Sequence, residues 1–311
     1  MLIRYVNILR VGSCHMQSSD LLNLYEKYLR EERNASDNTL SSYLRDLRQL
    51  NNYLSGQGED FLSADDQKLN SFLEYEKGLG KSTATISRNV ASIKNFYTFL
   101  VSEGFLQKSP AKKLTSEKTV QKLPEILTSS EVDLLLMQPK CSDAKGYRDK
   151  AMLELLYATG IRVTELINLD VSDLNLPVGG IHCRSKNKDR FIPMYQDAVK
   201  AVSDYYYHVR PKMISSPTET ALFVNVSGER MSRQGFWKII KYYQKKANIE
   251  KDITPHTLRH SFATEYIKSG GDIWELRCLL GHASINTTMV YLHMAEDFSK
   301  VSSPLDGVDN V

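Results

Sequence analysis

The sequence predicts a mainly α-helical protein with a small β-hairpin, divided into an all-helical N-terminal domain and a larger α+β domain. Three observations predict it. Four stretches between Asp20 and Leu106 repeat apolar residues at the helical period. A lysine-rich segment without periodicity follows them, and further on two short apolar runs flank the polar turn Ser185-Lys186-Asn187-Lys188-Asp189. With 311 residues, 41% of them hydrophobic, the chain is long enough to bury two cores.

Leu21, Leu24, Tyr25, Tyr28 and Leu29 form the first helical stripe, and Leu40, Tyr43, Leu44, Leu47 and Leu54 the second. Ser63 is expected to begin a third helix carrying Leu69, Phe72 and Leu73, and Ser82 a fourth carrying Ile86, Val90, Ile93, Tyr97 and Leu100. Recurrence at this period makes the stripes core faces rather than ligand contacts. The helical domain is expected over residues 17–108. From Gln107 to Pro124 two prolines and five lysines occur without apolar periodicity, which places an exposed linker at 109–123. Its lysines, Lys112 and Lys113 among them, either follow a phosphate backbone or simply solvate the linker.

The second domain is expected over residues 124–300, with a tail at 301–311. Ser129 or Ser130 caps its first helix, and Tyr147 to Tyr157 forms another that stops at Thr159-Gly160. A short helix then carries Arg162 and Glu165. Gly179-Gly180 introduces the hairpin, whose strands are Ile181-His182-Cys183-Arg184 and Arg190-Phe191-Ile192-Pro193-Met194, and Ala221 to Val224 reads as a further strand. Between Ser232 and Ile249, Phe236, Ile239, Ile240 and Tyr243 mark a buried side, while Lys238, Lys241 and Lys245 share another. Thr254-Pro255 reads as an N-cap with proline at the first helical position, which sets His256 and Arg259 one turn apart on one face. Gly270-Gly271 closes that helix, Gly281 breaks the next just before His282, and Thr287-Thr288 lead into the segment carrying Tyr291.

A formal charge of +3 is only mildly basic, so any nucleic-acid binding must come from local patches. The four cysteines, Cys14, Cys141, Cys183 and Cys278, form no CxxC pair. That argues against a structural zinc site or a disulfide scaffold and for a reducing cytoplasm. No apolar run approaches the roughly 20 residues that span a bilayer. The apolar start Leu2 to Val11 is cut by Arg4 and Arg10, so neither a signal peptide nor a membrane anchor is expected.

Cleaving a phosphodiester through an enzyme nucleophile needs an attacking group, cationic donors on the non-bridging oxygens and an acid for the departing oxygen. Tyr291 can attack, Arg162 and Arg259 can each present a planar fork of donors, and Lys186 at the hairpin turn can reach a leaving oxygen. Each residue has a plainer reading. Tyr291 is one of 17 tyrosines, Arg162 can pair with Glu165 on a helix surface, and Lys186, Lys188 and Arg190 can be solvated hairpin residues. His256 and His260, at i and i+4, have the spacing of metal ligands. No HExxH glutamate or nearby cysteine set completes such a site, so no metal is expected.

The segments ATGIRVTEL (Ala158 to Leu166), HTLRHSFAT (His256 to Thr264), LLGH (Leu279 to His282) and Tyr291, nine residues further on, occur in order. They resemble the motif set of the tyrosine recombinases, or phage-integrase family, and within it the bacterial Xer recombinases. RSKNKDRFIPM resembles the family's lysine-bearing turn, and the resemblance spans about Asp20 to Asp297. It implies an N-terminal SAM-like core-binding domain and a C-terminal catalytic domain that form a C-shaped clamp on DNA. It further implies that Tyr291 attacks the scissile phosphate to give a 3′-phosphotyrosyl link and a free 5′-hydroxyl. Arg162 and Arg259 would hold the non-bridging oxygens, and Lys186 would protonate the leaving oxygen. His256 would accept the tyrosine proton or donate to the phosphate, and His282 would add a hydrogen bond to the phosphate. Glu165 and His260 would support them.

The activity so implied is site-specific recombination of DNA, whether integration, excision or dimer resolution. The tyrosyl ester retains the bond energy, so no cofactor is expected. The expected partners are double-stranded recombination sites and a homotetramer assembled on them, alone or with a related recombinase. The tail at 301–311 either packs on a neighbouring subunit or is a frayed end. Arg233 and Gln234, with Ser87, Arg88, Asn89 and Lys94, are candidates for groove contacts. Lys238, Lys241 and Lys245 either face DNA or form an ordinary solvated face. Two other activities share much of this pattern: relaxation of supercoiled DNA by a type IB topoisomerase, and DNA binding without cleavage.

Overall fold

The computed structural model describes residues 16–116, 124–185 and 188–299, and the chain folds as two compact units, 1–121 and 122–311. The first unit holds four helices: α1 (Ser18–Glu31), α2 (Asp37–Ser55), α3 (Asp66–Gly78) and α4 (Thr83–Ser102). The last three open on side chains that accept a backbone N–H three residues on: Ser36 from Thr39, Asp65 from Lys68 and Ser82 from Thr85. Asp65, not Ser63, therefore begins α3. The carboxylate of Asp60 accepts the N–H groups of Leu62 and Ser63, both at 2.8 Å, and this local turn competes with the helix at Ser63.

The apolar stripes meet in one core that contains Leu21, Tyr25, Leu47, Phe72, Ile93 and Tyr97, while Leu24, Tyr28 and Tyr43 pack at its edge. Phe96 lies at its centre, fully buried, with the rings of Tyr25 and Phe61 edge-on at 5.1 and 4.8 Å. Phe96→Ala is expected to destabilise this unit by about 3–5 kcal/mol, read as an earlier urea midpoint. A loss below about 1 kcal/mol would show that the surrounding rings collapse into the space.

Asp46 on α2 is fully buried, and Arg88 on α4 donates to both of its carboxylate oxygens at 3.0 and 2.9 Å. Ser92 donates to it at 3.2 Å, and the Asn89 amide packs against it. A buried carboxylate requires such partners. Asn89, expected as a groove contact, is buried, whereas Arg88 pairs with Asp46 and keeps a side chain 39% exposed, and Ser87 and Lys94 are partly exposed. The expected linker also begins folded. A 3-10 turn at Pro110–Lys113 sinks Ala111 and Leu114 into the first core, while Lys112 and Lys113 stay exposed. The readable signal is the pair of apolar residues three apart within a lysine-rich run. Residues 117–123 lie outside the described residues, as do Cys14, the stretch from Leu2 to Val11 and the tail at 301–311.

The second unit runs α5 (Ser129–Leu136), α6 (Ala144–Thr159), α7 (Val163–Asn168), β1 (Leu174–Asn175), β2 (Gly180–Ser185) and β3 (Lys188–Pro193). It continues through α8 (Gln196–Asp204), α9 (Arg210–Met213), α10 (Arg233–Lys246), α11 (Pro255–Lys268), α12 (Ile273–Leu280) and α13 (Asn286–Ser299). Thr128, rather than Ser129 or Ser130, caps α5, in a reciprocal box with Glu131. Asp143 caps α6 and starts it three residues before Tyr147. The three strands form an antiparallel sheet in the order β1-β2-β3, with Ile181 opposite Ile192 and Cys183 opposite Arg190. The strand expected at Ala221 to Val224 is instead a fully buried segment whose β-type pairing, among the described residues, is limited to isolated bridges of Ala221 with Asp170 and of Val224 with Arg230. A short apolar run reports burial and does not by itself report a ladder. Cys141 and Cys278 are exposed free thiols and Cys183 a buried one. Among the described residues no helix is long and apolar enough to cross a membrane.

Candidate active site

Three helix ends build the site. Thr254 accepts the Thr257 N–H and Pro255 takes the first helical position, so α11 starts as its sequence predicts. This start leaves His256 exposed and turns Arg259 inward, where it is 4% exposed. α6 ends on Gly160 at φ +56 and α12 on Gly281 at φ +63, both in the left-handed region that favours glycine.

Helix C-termini offer free carbonyls at the negative end of the helix dipole, which suits a buried guanidinium. Arg259 uses two of them. Its Nη1 donates to the Gly160 carbonyl at 2.6 Å and its Nη2 to the Leu280 carbonyl at 2.7 Å. Nη2 also lies 3.0 Å from His282 Nε2, and since a guanidinium only donates, that nitrogen accepts. The His282 proton then sits on Nδ1, which donates to Thr288 Oγ1 at 2.9 Å. Burial and the Arg162 charge lower the Arg259 pKa to about 10, so it stays cationic at neutral pH.

Tyr291 projects from α13, only 2% exposed, with its hydroxyl 2.9 Å from His260 Nδ1 and its ring stacked near His282. Burial raises the phenol's pKa, and the charges of Arg259 and Arg162 pull against that rise without cancelling it. Burial, followed by the charges of His256 and Arg259, pushes His260 down to about 4. Burial and the arginines push His282 to about 4 as well. At neutral pH the resting cluster is therefore a neutral phenol between two neutral imidazoles. His256 also has its pKa lowered, by burial and then by Arg259, Arg233 and Arg162, which places it among these three cations. His256 is expected either to accept the tyrosine proton or to donate to the phosphate, and at rest the ring on the phenol is His260.

Two neutral histidines, His282 buried and His260 partly buried, make folding sensitive to acid. Each binds its proton more tightly in the unfolded chain, near 6.5, than in the fold, at about 4. Stability should therefore be flat above neutrality, fall as pH drops through 6.5 and level off near 4. Thermal unfolding of the full chain across this range should show the fall, and His260→Gln, which cannot titrate there, should reduce it to the share His282 contributes. An unchanged slope in that variant would assign the acid sensitivity elsewhere.

Arg162 precedes α7 and has a side chain 42% exposed, with contacts of 3.4 Å to Glu165 and to the Gly281 carbonyl. Its surface pairing with Glu165 is thus real but loose, and much of the fork is open. Glu165 accepts the Arg162 backbone N–H at 2.7 Å and Arg190 Nη2 at 3.0 Å on each oxygen. Burial raises the Glu165 pKa, but the Arg162 N–H and the two guanidiniums outweigh it, so the carboxylate stays ionised. Arg190 is not a solvated hairpin residue: its side chain is 11% exposed. The sign of this in the sequence is the alternation of Arg190, Ile192 and Met194 along one face of the strand. Lys186 lies outside the described residues, between the ends of β2 and β3.

Phe236, Ile240 and Tyr243 of α10 are buried, and Arg233, Gln234, Lys238 and Lys245 are exposed. Lys241 is partly exposed, paired with Asp252 and 5.6 Å from the Trp237 ring. Arg233, Gln234, Trp237, Lys238 and His256 line one groove beside the site. Among the described residues no three His, Cys, Asp or Glu side chains gather as metal ligands would.

A helical domain followed by a mixed domain that gathers a tyrosine, histidines and arginines on helix ends is the make-up of a DNA strand transferase working through tyrosine. Residues 125–297 match the phage integrase family, and residues 22–104 match the phage integrase N-terminal SAM-like domain. The chain is 39% identical to tyrosine recombinase XerD of Staphylococcus epidermidis RP62A over 278 residues, which cover 89% of this chain and 94% of that protein. It is 46% identical to tyrosine recombinase XerD of Oceanobacillus iheyensis over 275 residues, covering 86% and 92%. Its fold is similar to that of XerH site-specific recombinase in a post-cleavage complex with a palindromic difH substrate, with a TM-score of 0.75 at 21% identity, covering 98% of this chain and 94% of that one. The structure of XerA recombinase aligns with a TM-score of 0.51 at 26% identity, covering 92% and 99%. The chain belongs to the phage integrase family, and it is a tyrosine recombinase that cuts and rejoins DNA.

Proposed function

We propose that Tyr291 is the nucleophile, attacking the scissile phosphate to form a 3′-phosphotyrosyl link and release a 5′-hydroxyl. Arg259, fixed by two helix ends, and the more open Arg162 hold the non-bridging oxygens and offset the charge that grows on them. His282, bonded to Arg259, faces the same phosphate. His256, exposed and neutral among three cations, meets the incoming phosphate and accepts the tyrosine proton or donates to an oxygen. His260 holds the phenol hydroxyl at rest. Lys186 protonates the leaving 5′-oxygen, and attack by a second 5′-hydroxyl reverses the chemistry without a cofactor. The observation that carries this reading is the convergence of Arg259, His260, His282 and Tyr291 through two cross-helix hydrogen bonds, Arg259 with His282 and His260 with Tyr291, between residues 23 and 31 positions apart.

The substrate is a duplex recombination site, and the working unit is four subunits on two such sites, alone or with a related recombinase. Exposed Lys112, Lys113, Arg233, Lys238 and Lys245 and the partly exposed Arg88, Lys94 and Lys241 supply DNA contacts, Arg88 and Lys241 while also pairing with Asp46 and Asp252. Incubation with nicked suicide duplexes carrying candidate sites is expected to trap a covalent protein–DNA adduct. Absence of adduct on every cognate site would leave a non-cleaving DNA binder. Relaxation of plasmid lacking such sites would favour a topoisomerase instead.

A further inference from the structure

We infer that Arg190 is a positioning residue for strand cleavage, acting on Arg162 through Glu165; this rests on the catalytic reading of Arg162. Three arginines address three consecutive carbonyls at the end of α12. Arg190 Nε donates to Leu279 at 2.8 Å, Arg259 to Leu280 at 2.7 Å and Arg162 to Gly281 at 3.4 Å. The cationic groups are thus ranked along one helix terminus whose dipole and free carbonyls offset their charge in the absence of a phosphate. Arg190 also closes on Gly281, where a Cβ would stand 2.9 Å from its guanidinium carbon.

The consequence lies in how Glu165 is shared. Its carboxylate receives Arg190 at 3.0 Å on both oxygens but the Arg162 guanidinium only at 3.4 Å. Arg190 therefore occupies the carboxylate and leaves the Arg162 fork free for a phosphate. With Arg190 removed, an ionised Glu165 has one guanidinium left in reach, and a bidentate pair with Arg162 becomes its best arrangement. That pair turns the fork away from the substrate. Arg190 acts by keeping Glu165 from capturing Arg162, without touching the reacting atoms.

Single-turnover cleavage of a suicide duplex tests this. Arg190→Ala is expected to slow cleavage about 10- to 100-fold with little change in duplex affinity, the usual size of a supporting-residue loss. Arg190→Lys keeps the charge but cannot hold Glu165 and Leu279 together, so it should fall between. Adding Glu165→Gln to Arg190→Ala should restore part of the rate, because the amide still accepts the Arg162 N–H but no longer binds its guanidinium as an ion. Further loss in that double variant would assign Arg190 a purely structural role and overturn the inference, as would parental cleavage by Arg190→Ala. If Arg190→Ala does not fold, the same comparison is made between Arg190→Lys and Arg190→Lys/Glu165→Gln. The parent's own adduct keeps the two readings apart: its absence overturns the catalytic reading together with this inference, while its presence confines any failure to Arg190.

Discussion

Tyr291→Phe should form no covalent adduct on any duplex that the parent cleaves, and should still bind that duplex. The substitution removes one oxygen. The ring keeps its place in the small cluster with Leu276, Leu280 and Met294, so the fold survives. What is lost locally is the bond to His260, and leaving that ring nitrogen without a partner costs on the order of 1 kcal/mol. Gel-resolved adduct measured beside a binding titration separates the outcomes. Adduct at the parental rate would mean that another side chain attacks and that Tyr291 is only a core residue, which its 2% exposure makes a serious alternative. That burial has its own implication: the phenol held by His260 keeps its proton at rest.

Arg162→Ala and Arg259→Ala should each slow cleavage about 100- to 1,000-fold, the scale of losing one donor to a developing oxyanion. They should differ in stability. Arg259 is 4% exposed and serves the Gly160 carbonyl, the Leu280 carbonyl and His282, all of which lose a donor when it is cut back. A loss of roughly 2–5 kcal/mol is expected there, because buried acceptors left without a donor cost about 1–3 kcal/mol each. Arg162, 42% exposed with long contacts, should change stability by less than about 1 kcal/mol. Thermal unfolding beside single-turnover cleavage reads both effects. Arg162→Ala is thus the cleaner probe of chemistry, and parental cleavage by that variant would remove Arg162 from the site.

Much of this is legible in the sequence. The stripes of the N-terminal helices, the Ser82 and Thr254 caps, the breaks at Gly160 and Gly281 and the hairpin all rest on local rules, and local rules can be read from neighbouring residues. The misplacements were local too, and each had a stronger competitor nearby: Asp65 and the Asp60 turn against Ser63, and Thr128 with Glu131 against Ser129. The ion pairs of the candidate DNA-contact residues were not legible, because a lysine or arginine at helical spacing gives no sign of a carboxylate on another element. Asp46 claims Arg88 from 42 residues away, and Asp252 claims Lys241.

By itself the sequence determined where the helices and the hairpin form, that two cores are possible, and, through ordered motifs, the family and its tyrosine chemistry. Only the tertiary structure decided that His260 rather than His256 rests on Tyr291, that Arg190 is turned inward onto Glu165, and that three arginines share the end of α12. The reason is physical. Caps and periodicities are settled over one or two turns, whereas a contact such as Arg162 with Gly281, 119 residues apart, exists only once helix ends have packed. Burial then sets which groups are charged, and it holds the phenol and both of its neighbouring imidazoles neutral.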